Sequence, residues 1–122
     1  MANKIIIIQS DGTHTRPMEQ AQAEKYLGNL INDNRIANLK QSLNDVTGDK
    51  GKATGSYVFD GHAVLHASSG VEEVKSVSLF FYDQDDDHYI IAMGEHTAAK
   101  TYKLTDYGQE TGAFKKNATI SL

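Results

Sequence analysis

The chain has 122 residues, of which 39% are hydrophobic and 8% aromatic, and it contains no cysteine. This length predicts one globular domain over residues 1–122, and the missing cysteines exclude disulfide, zinc–thiolate and thiol chemistry. The formal net charge of −4 gives no overall attraction to nucleic acid or to anionic lipid.

The first predicted element is a short buried strand at residues 5–8, which are four consecutive isoleucines. Four residues are too few for the apolar core of a signal peptide. No later segment reaches the roughly 18 apolar residues that a membrane span needs. We therefore expect a cytoplasmic protein that has no membrane partner.

Two amphipathic helices are predicted to follow. Apolar residues recur at helical spacing within residues 18–31, with Thr15 as the N-cap, Pro17 in the first turn and Gly28 near the end. A second run at residues 36–46 repeats at three- and four-residue steps and should stop at the glycine that follows.

The second half of the chain changes to the period of two that is typical of strands. Asp60-Gly61 predicts a hairpin between residues 54–60 and 62–67, and a second hairpin joins residues 76–82 to 88–93. Shorter strands are predicted at residues 100–104 and 118–122.

These elements predict an α+β fold with two N-terminal helices packed on a twisted, mainly antiparallel sheet of five to six strands. The core should contain apolar residues from both layers. The helical ones are Met18, Leu27, Leu30, Ile36, Leu39 and Leu43, and those of the sheet are Val77, Leu79, Phe81, Ile90 and Ala92.

The first hairpin offers candidate binding residues. A two-residue turn places Phe59 opposite His62 and Gly55 opposite His66, and both histidines on one face with Tyr57. His62 and His66 would lie ~13 Å apart along the strand, too far to chelate one metal ion, and we expect neither metal nor cofactor. The face is either an acid–base or binding surface or an ordinary strand pair packed on both sides.

Polar groups also follow the predicted strand that ends at Gly94, where a bend is permitted. His96 could transfer a proton, Lys100 could hold a phosphate or stabilise negative charge, and Tyr102 follows closely. An ordinary polar loop between strands is the other interpretation.

The run at residues 77–82, the acidic turn, and residues 89–94 followed by His96 and Tyr102 resemble the small ribonuclease toxins of the RelE and colicin type. The resemblance covers roughly the last third of the chain. It implies metal-independent cleavage of RNA, with His96 in acid–base catalysis, Lys100 at the scissile phosphate and Tyr102 orienting or stacking on a base. His62 or His66 would be the second titrating group.

Two other functions fit the same sequence. The acidic turn at residues 83–87 lacks the central glycine and closing glutamate of a calcium loop. Its carboxylates could instead bind a basic protein, as in an immunity protein or a phage-encoded inhibitor; they are Asp83, Asp85, Asp86 and Asp87. A small-molecule-binding module would use the face formed by Tyr57, Phe59, His62 and His66.

Overall fold

The computed structural model describes residues 3–71 and 75–122, which form two α-helices and a curled sheet of seven strands. The elements in chain order are β1 (Ile5–Ile7), α1 (Gln20–Gly28), a 3-10 turn (Asp33–Arg35), α2 (Ile36–Thr47), β2 (Lys52–Phe59), β3 (His62–Ser69), β4 (Val77–Gln84), β5 (Asp87–Ala98), β6 (Thr101–Tyr107) and β7 (Thr119–Ser121). The α+β class is confirmed. Six antiparallel strands form the main path of the sheet, as predicted, and the predicted strand β1 adds a seventh at its side. The helices are not N-terminal, because they lie between β1 and β2.

The sheet is antiparallel in the order β2-β3-β4-β5-β6-β7, while β1 pairs in parallel with the first part of β5. The later part of β5 pairs with β6 instead. The two outermost strands approach each other because the sheet curls into a half-barrel. The hydroxyl of Tyr57 in β2 donates a hydrogen bond of 3.3 Å to the carbonyl of Ser121 in β7.

Two tight hairpin turns connect the central strands. Asp60 and Gly61 have φ of 55° and 80°, and Asp85 and Asp86 have φ of 54° and 69°. Positive φ at both central residues is the signature of type I′ turns, whose twist matches that of the strands. The first turn is as predicted, whereas the five-residue acidic turn is in fact a two-residue turn.

Helix α1 begins later than predicted. Met18 exchanges two backbone hydrogen bonds with Ile5, so residue 18 still pairs with β1 and the helix begins after it. The backbone N–H of Glu19 then donates to the side chain of Gln22 at 2.9 Å, as in a capping box. The predicted N-cap, Thr15, instead accepts a hydrogen bond from the backbone N–H of Ile7.

The core lies on both faces of the sheet. The predicted residues on the helix-covered face are confirmed as buried there: Leu27, Leu39, Leu43, Val77, Leu79, Phe81 and Ile90, with Met18 and Ile36 packed against them. Leu30 was placed wrongly, since α1 ends at Gly28 and the Leu30 side chain is 44% exposed.

Ala92 is buried on the opposite face, with Phe80 and Tyr102. The cause is a bulge in β5, because Phe80 pairs with Ala92 but Phe81 pairs with Ile90. One extra residue on β5 reverses the alternation of its side chains from that point on.

Candidate active site

A cleft of about 330 Å³ collects three of the five residues that the sequence analysis names as catalytic. Its lining includes His66 from β3, His96 from β5 and Tyr102 from β6. These three residues are far apart in the sequence, and the sheet brings them together. The lining also contains Asp45, Lys50 and Lys52, which the sequence analysis missed.

Tyr102 contacts both histidines of the cleft. Its ring stacks with that of His96, with centroids 4.8 Å apart, and meets the ring of His66 at 5.5 Å. His96 and Tyr102 are cross-strand partners in β5 and β6, which explains their stacking. The curl of the sheet then carries this pair toward β3, where His66 also packs against Phe80.

Each histidine of the cleft has a buried ring nitrogen with no partner among the described residues, namely Nδ1 of His66 and Nε2 of His96. Both of these nitrogens are shielded from solvent, so a substrate in the cleft would exchange a proton with the other nitrogen of each ring. Burial lowers the pKa of His66, and the positive charges of Lys52 and His96 lower it further. The neutral imidazole of His66 is therefore favoured at neutral pH.

Lys52 reaches the cleft because of an irregularity in β2. The predicted pairing of Gly55 with His66 is wrong, and Lys52 pairs with His66 instead. The register shifts between Ala53 and Val58, and Gly55 has a φ of 77°, which only glycine adopts readily. The register shift therefore places Lys52 beside His66.

Strand β5 does not end at Gly94, as the sequence suggested, but continues to Ala98. A Cβ at Gly94 would overlap the carbonyl oxygen of Lys103 and lie 2.7 Å from Cα of Leu104. Gly94 thus permits the close approach of β6 rather than a bend, and this approach carries Tyr102 to the site.

The other two predicted catalytic residues lie elsewhere. His62 stacks on Tyr82, with ring centroids 4.2 Å apart and planes inclined by 4°. Tyr82 in turn stacks on Tyr89 at 4.8 Å. Lys100 is exposed in the turn between β5 and β6 and is not part of the cleft's described lining.

Two of the four aspartates in the acidic hairpin, which is the turn at residues 83–87, make contacts within the protein. Asp83 lies 2.6 Å from Nδ1 of the buried His88, and Asp87 accepts a hydrogen bond from the backbone N–H of Lys4. Asp85 and Asp86 remain exposed at the tip. They also line a second cleft of about 460 Å³ that includes Asp83 and His88.

The face suggested for small-molecule binding packs against the hydrophobic cluster on the sheet face opposite the helices, the cluster that contains Phe80 and Tyr102. Tyr57 packs against Phe114 with ring centroids 5.6 Å apart, and Phe59 stacks on Tyr82 at 6.3 Å. Both side chains are half-buried. Their rings therefore fill the inside of the curled sheet.

Comparison with known proteins gives no match, whether with family models, curated proteins or solved structures. Within residues 3–71 and 75–122, no group of three or more histidine and acidic side chains is placed to hold a metal ion. No helix in these same ranges is long and apolar enough to span a membrane.

Proposed function

We propose that this chain is a metal-independent ribonuclease of the bacterial toxin type, with the reacting phosphodiester bound in the His66–His96 cleft. The observation that carries the proposal is the convergence of two imidazoles and the Lys52 side chain on one cleft. Cleavage of RNA through its own 2′-hydroxyl needs a base, an acid and a cation, and this cleft offers all three.

The lowered pKa of His66 suits the role of general base. His66 takes the proton of the ribose 2′-hydroxyl as O2′ attacks the adjacent phosphorus. The bond between phosphorus and O5′ breaks, and O5′ receives a proton from His96 acting as general acid. The products are a 2′,3′-cyclic phosphate and a free 5′-hydroxyl.

The cations of the cleft complete this chemistry. Lys52, next to His66 across the strands, stabilises the negative charge that develops on the phosphoryl oxygens. Lys50 adds a second positive charge, and Asp45 is the one carboxylate among the described residues of the lining. Within that described lining, lysines therefore outnumber carboxylates although the chain as a whole is negative.

Binding of a basic protein through the acidic hairpin has less support. Of the four aspartates, Asp83 and Asp87 already hold His88 and the backbone of Lys4. Only Asp85 and Asp86 extend from the tip without such a contact among those described.

The test is cleavage of RNA by the purified protein in excess EDTA, with His66→Ala and His96→Ala as variants. We expect the wild type to leave 2′,3′-cyclic phosphate ends, and each variant to lose activity about 10²- to 10⁴-fold. Expression in a bacterial host should arrest growth and fragment total RNA only with the wild type.

Intact RNA with the folded wild-type protein would overturn the proposal. A pull-down with the wild type beside an Asp85→Lys, Asp86→Lys double variant would then test the hairpin as a binding surface for a basic protein.

A further inference from the structure

A buried serine holds the backbone of His96. The backbone N–H of His96 donates a hydrogen bond of 2.9 Å to Oγ of Ser76. Ser76 is completely buried and directly precedes β4. The contact joins residues 20 positions apart and lies outside the regular pairing of β5 with its neighbours.

Ser76 is fixed in turn by a buried ion pair. Nε and Nη2 of Arg35 donate to the carbonyl oxygen of Ser76 at 3.2 and 2.9 Å. The same guanidinium binds Asp106 through two hydrogen bonds, of 2.8 and 2.6 Å. The side chains of Arg35 and Asp106 are only 5% and 9% exposed. Because the guanidinium is planar and its N–H groups point in fixed directions, the carbonyl that it binds has little freedom of position.

The pairing of β5 with β6 does not by itself fix the position of His96. The register between β5 and β6 shifts on both sides of His96, between Met93 and Glu95 and between His96 and Ala98. Irregular pairing re-aims side chains and needs support from outside the ladder. Ser76 supplies that support at His96, whose ring stacks on Tyr102.

We propose that Ser76, held by the Arg35–Asp106 ion pair, is a positioning residue that sets the imidazole of His96 in the cleft. This inference rests on the proposed ribonuclease function for its catalytic consequence, but its structural part can be measured separately. A ring displaced by about 1 Å from its working position is enough to slow a reaction strongly.

The structural part is tested by NMR of protein carrying ¹⁵N-labelled histidine. Ser76→Ala should move the ring resonances of His96 and leave those of His62 and His14 in place. Ser42→Ala is the matched control, because the buried hydroxyl of Ser42 donates to the carbonyl of Val77 at 2.8 Å. Unchanged His96 resonances in Ser76→Ala, or equal changes in both variants, would overturn the inference.

The catalytic part is tested by kinetics on RNA. Ser76→Ala should lower kcat by roughly tenfold or more while KM changes little, since the phosphate-binding lysines are untouched. Ser76→Thr retains the hydroxyl and should restore most of kcat, and Ser42→Ala should behave as the wild type. A fall confined to KM, or no recovery in a folded Ser76→Thr protein, would contradict the positioning role.

The two proposals fail in different ways. If the wild type does not cleave RNA, the ribonuclease function is wrong, while the NMR comparison still decides whether Ser76 positions His96. If Ser76→Ala does not fold, Ser76→Cys replaces the hydroxyl by a somewhat larger thiol that is a weaker acceptor, and its His96 resonances take the place of those of the alanine variant.

Discussion

The imidazole ring of His96 stacks on the phenol ring of Tyr102, with centroids 4.8 Å apart and planes inclined by 17°. The same phenol ring lies 5.5 Å from that of His66. One aromatic side chain therefore contacts both of the imidazoles that we assign as base and acid.

Tyr102 should act through the shape of its ring rather than through its hydroxyl. Tyr102→Phe keeps both ring contacts and should stay within about threefold of wild-type kcat, whereas Tyr102→Ala should lose about 10²-fold as the imidazoles move. Single-turnover cleavage of a short RNA measures both. A strong loss in Tyr102→Phe would instead assign a chemical role to the hydroxyl.

The proposal made here and the resemblance place the phosphate beside different lysines, Lys52 and Lys100. Lys52 lines the cleft and Lys100 does not belong to its described lining. Lys52→Ala should lower kcat/KM by about 10²-fold through the loss of a cation near the phosphate, and Lys100→Ala should stay close to the wild type. Initial rates at constant ionic strength decide between them, and the reverse order would move the phosphate away from this cleft.

The lowered pKa of His66 makes the stability of the fold depend on pH. Between the folded and the unfolded pKa, the unfolded state binds more protons, so the free energy of unfolding rises with pH. The contribution is complete above the ordinary histidine pKa of about 6.5 and is lost as pH falls through the lower folded value. Urea denaturation at several pH values should show this slope, and His66→Gln should reduce it. An equal slope in His66→Gln would assign the dependence to other groups.

The ion pairs Arg35–Asp106 and Lys4–Glu19 differ in burial and should differ in their effect on stability. Asp106→Asn leaves the buried guanidinium of Arg35 without its counter-charge and should cost about 3–5 kcal/mol. Lys4→Gln breaks the exposed pair with Glu19 and should cost less than about 1 kcal/mol. Chemical denaturation gives both values, and similar costs would contradict the burial argument.

Gly94 should be sensitive to the smallest substitution. Gly94→Ala places a Cβ against the backbone of Lys103 and Leu104, which cannot yield as a side chain would, and we expect a cost of about 3 kcal/mol. Gly12→Ala is the comparison, since its Cβ meets nothing within 4 Å and only its φ of 90° is unfavourable, at about 1–2 kcal/mol. Thermal or urea unfolding measures the difference, and an unaffected Gly94→Ala protein would show that β6 can shift.

Local chemistry made much of the fold predictable from the sequence. Asp60-Gly61 specifies its hairpin because both residues accept positive φ. The helical spacing of Leu39 and Leu43 identifies the buried face of α2. Such features depend on neighbours within a few positions, which a sequence displays directly.

The composition of the cleft could not be predicted in the same way. His66 and His62 have the same chemistry and the same face of β3, yet only His66 lies near His96. The difference comes from the curl of the sheet and from the register shift near Gly55 that brings Lys52 to the site. Both depend on how distant strands pack, so the spacing of residues along the chain does not encode them.

The pairing of β1 with β5 has a consequence for how the chain reaches its native state. The backbone N–H of Lys4 and the carboxylate of Asp87 that it contacts are 83 positions apart. During synthesis the isoleucines of β1 leave the ribosome well before their partner strand exists, and closing so long a loop delays their docking. Until β5 forms, an apolar strand without its neighbour is open to aggregation, and we expect the docking of β1 to be a late step of folding.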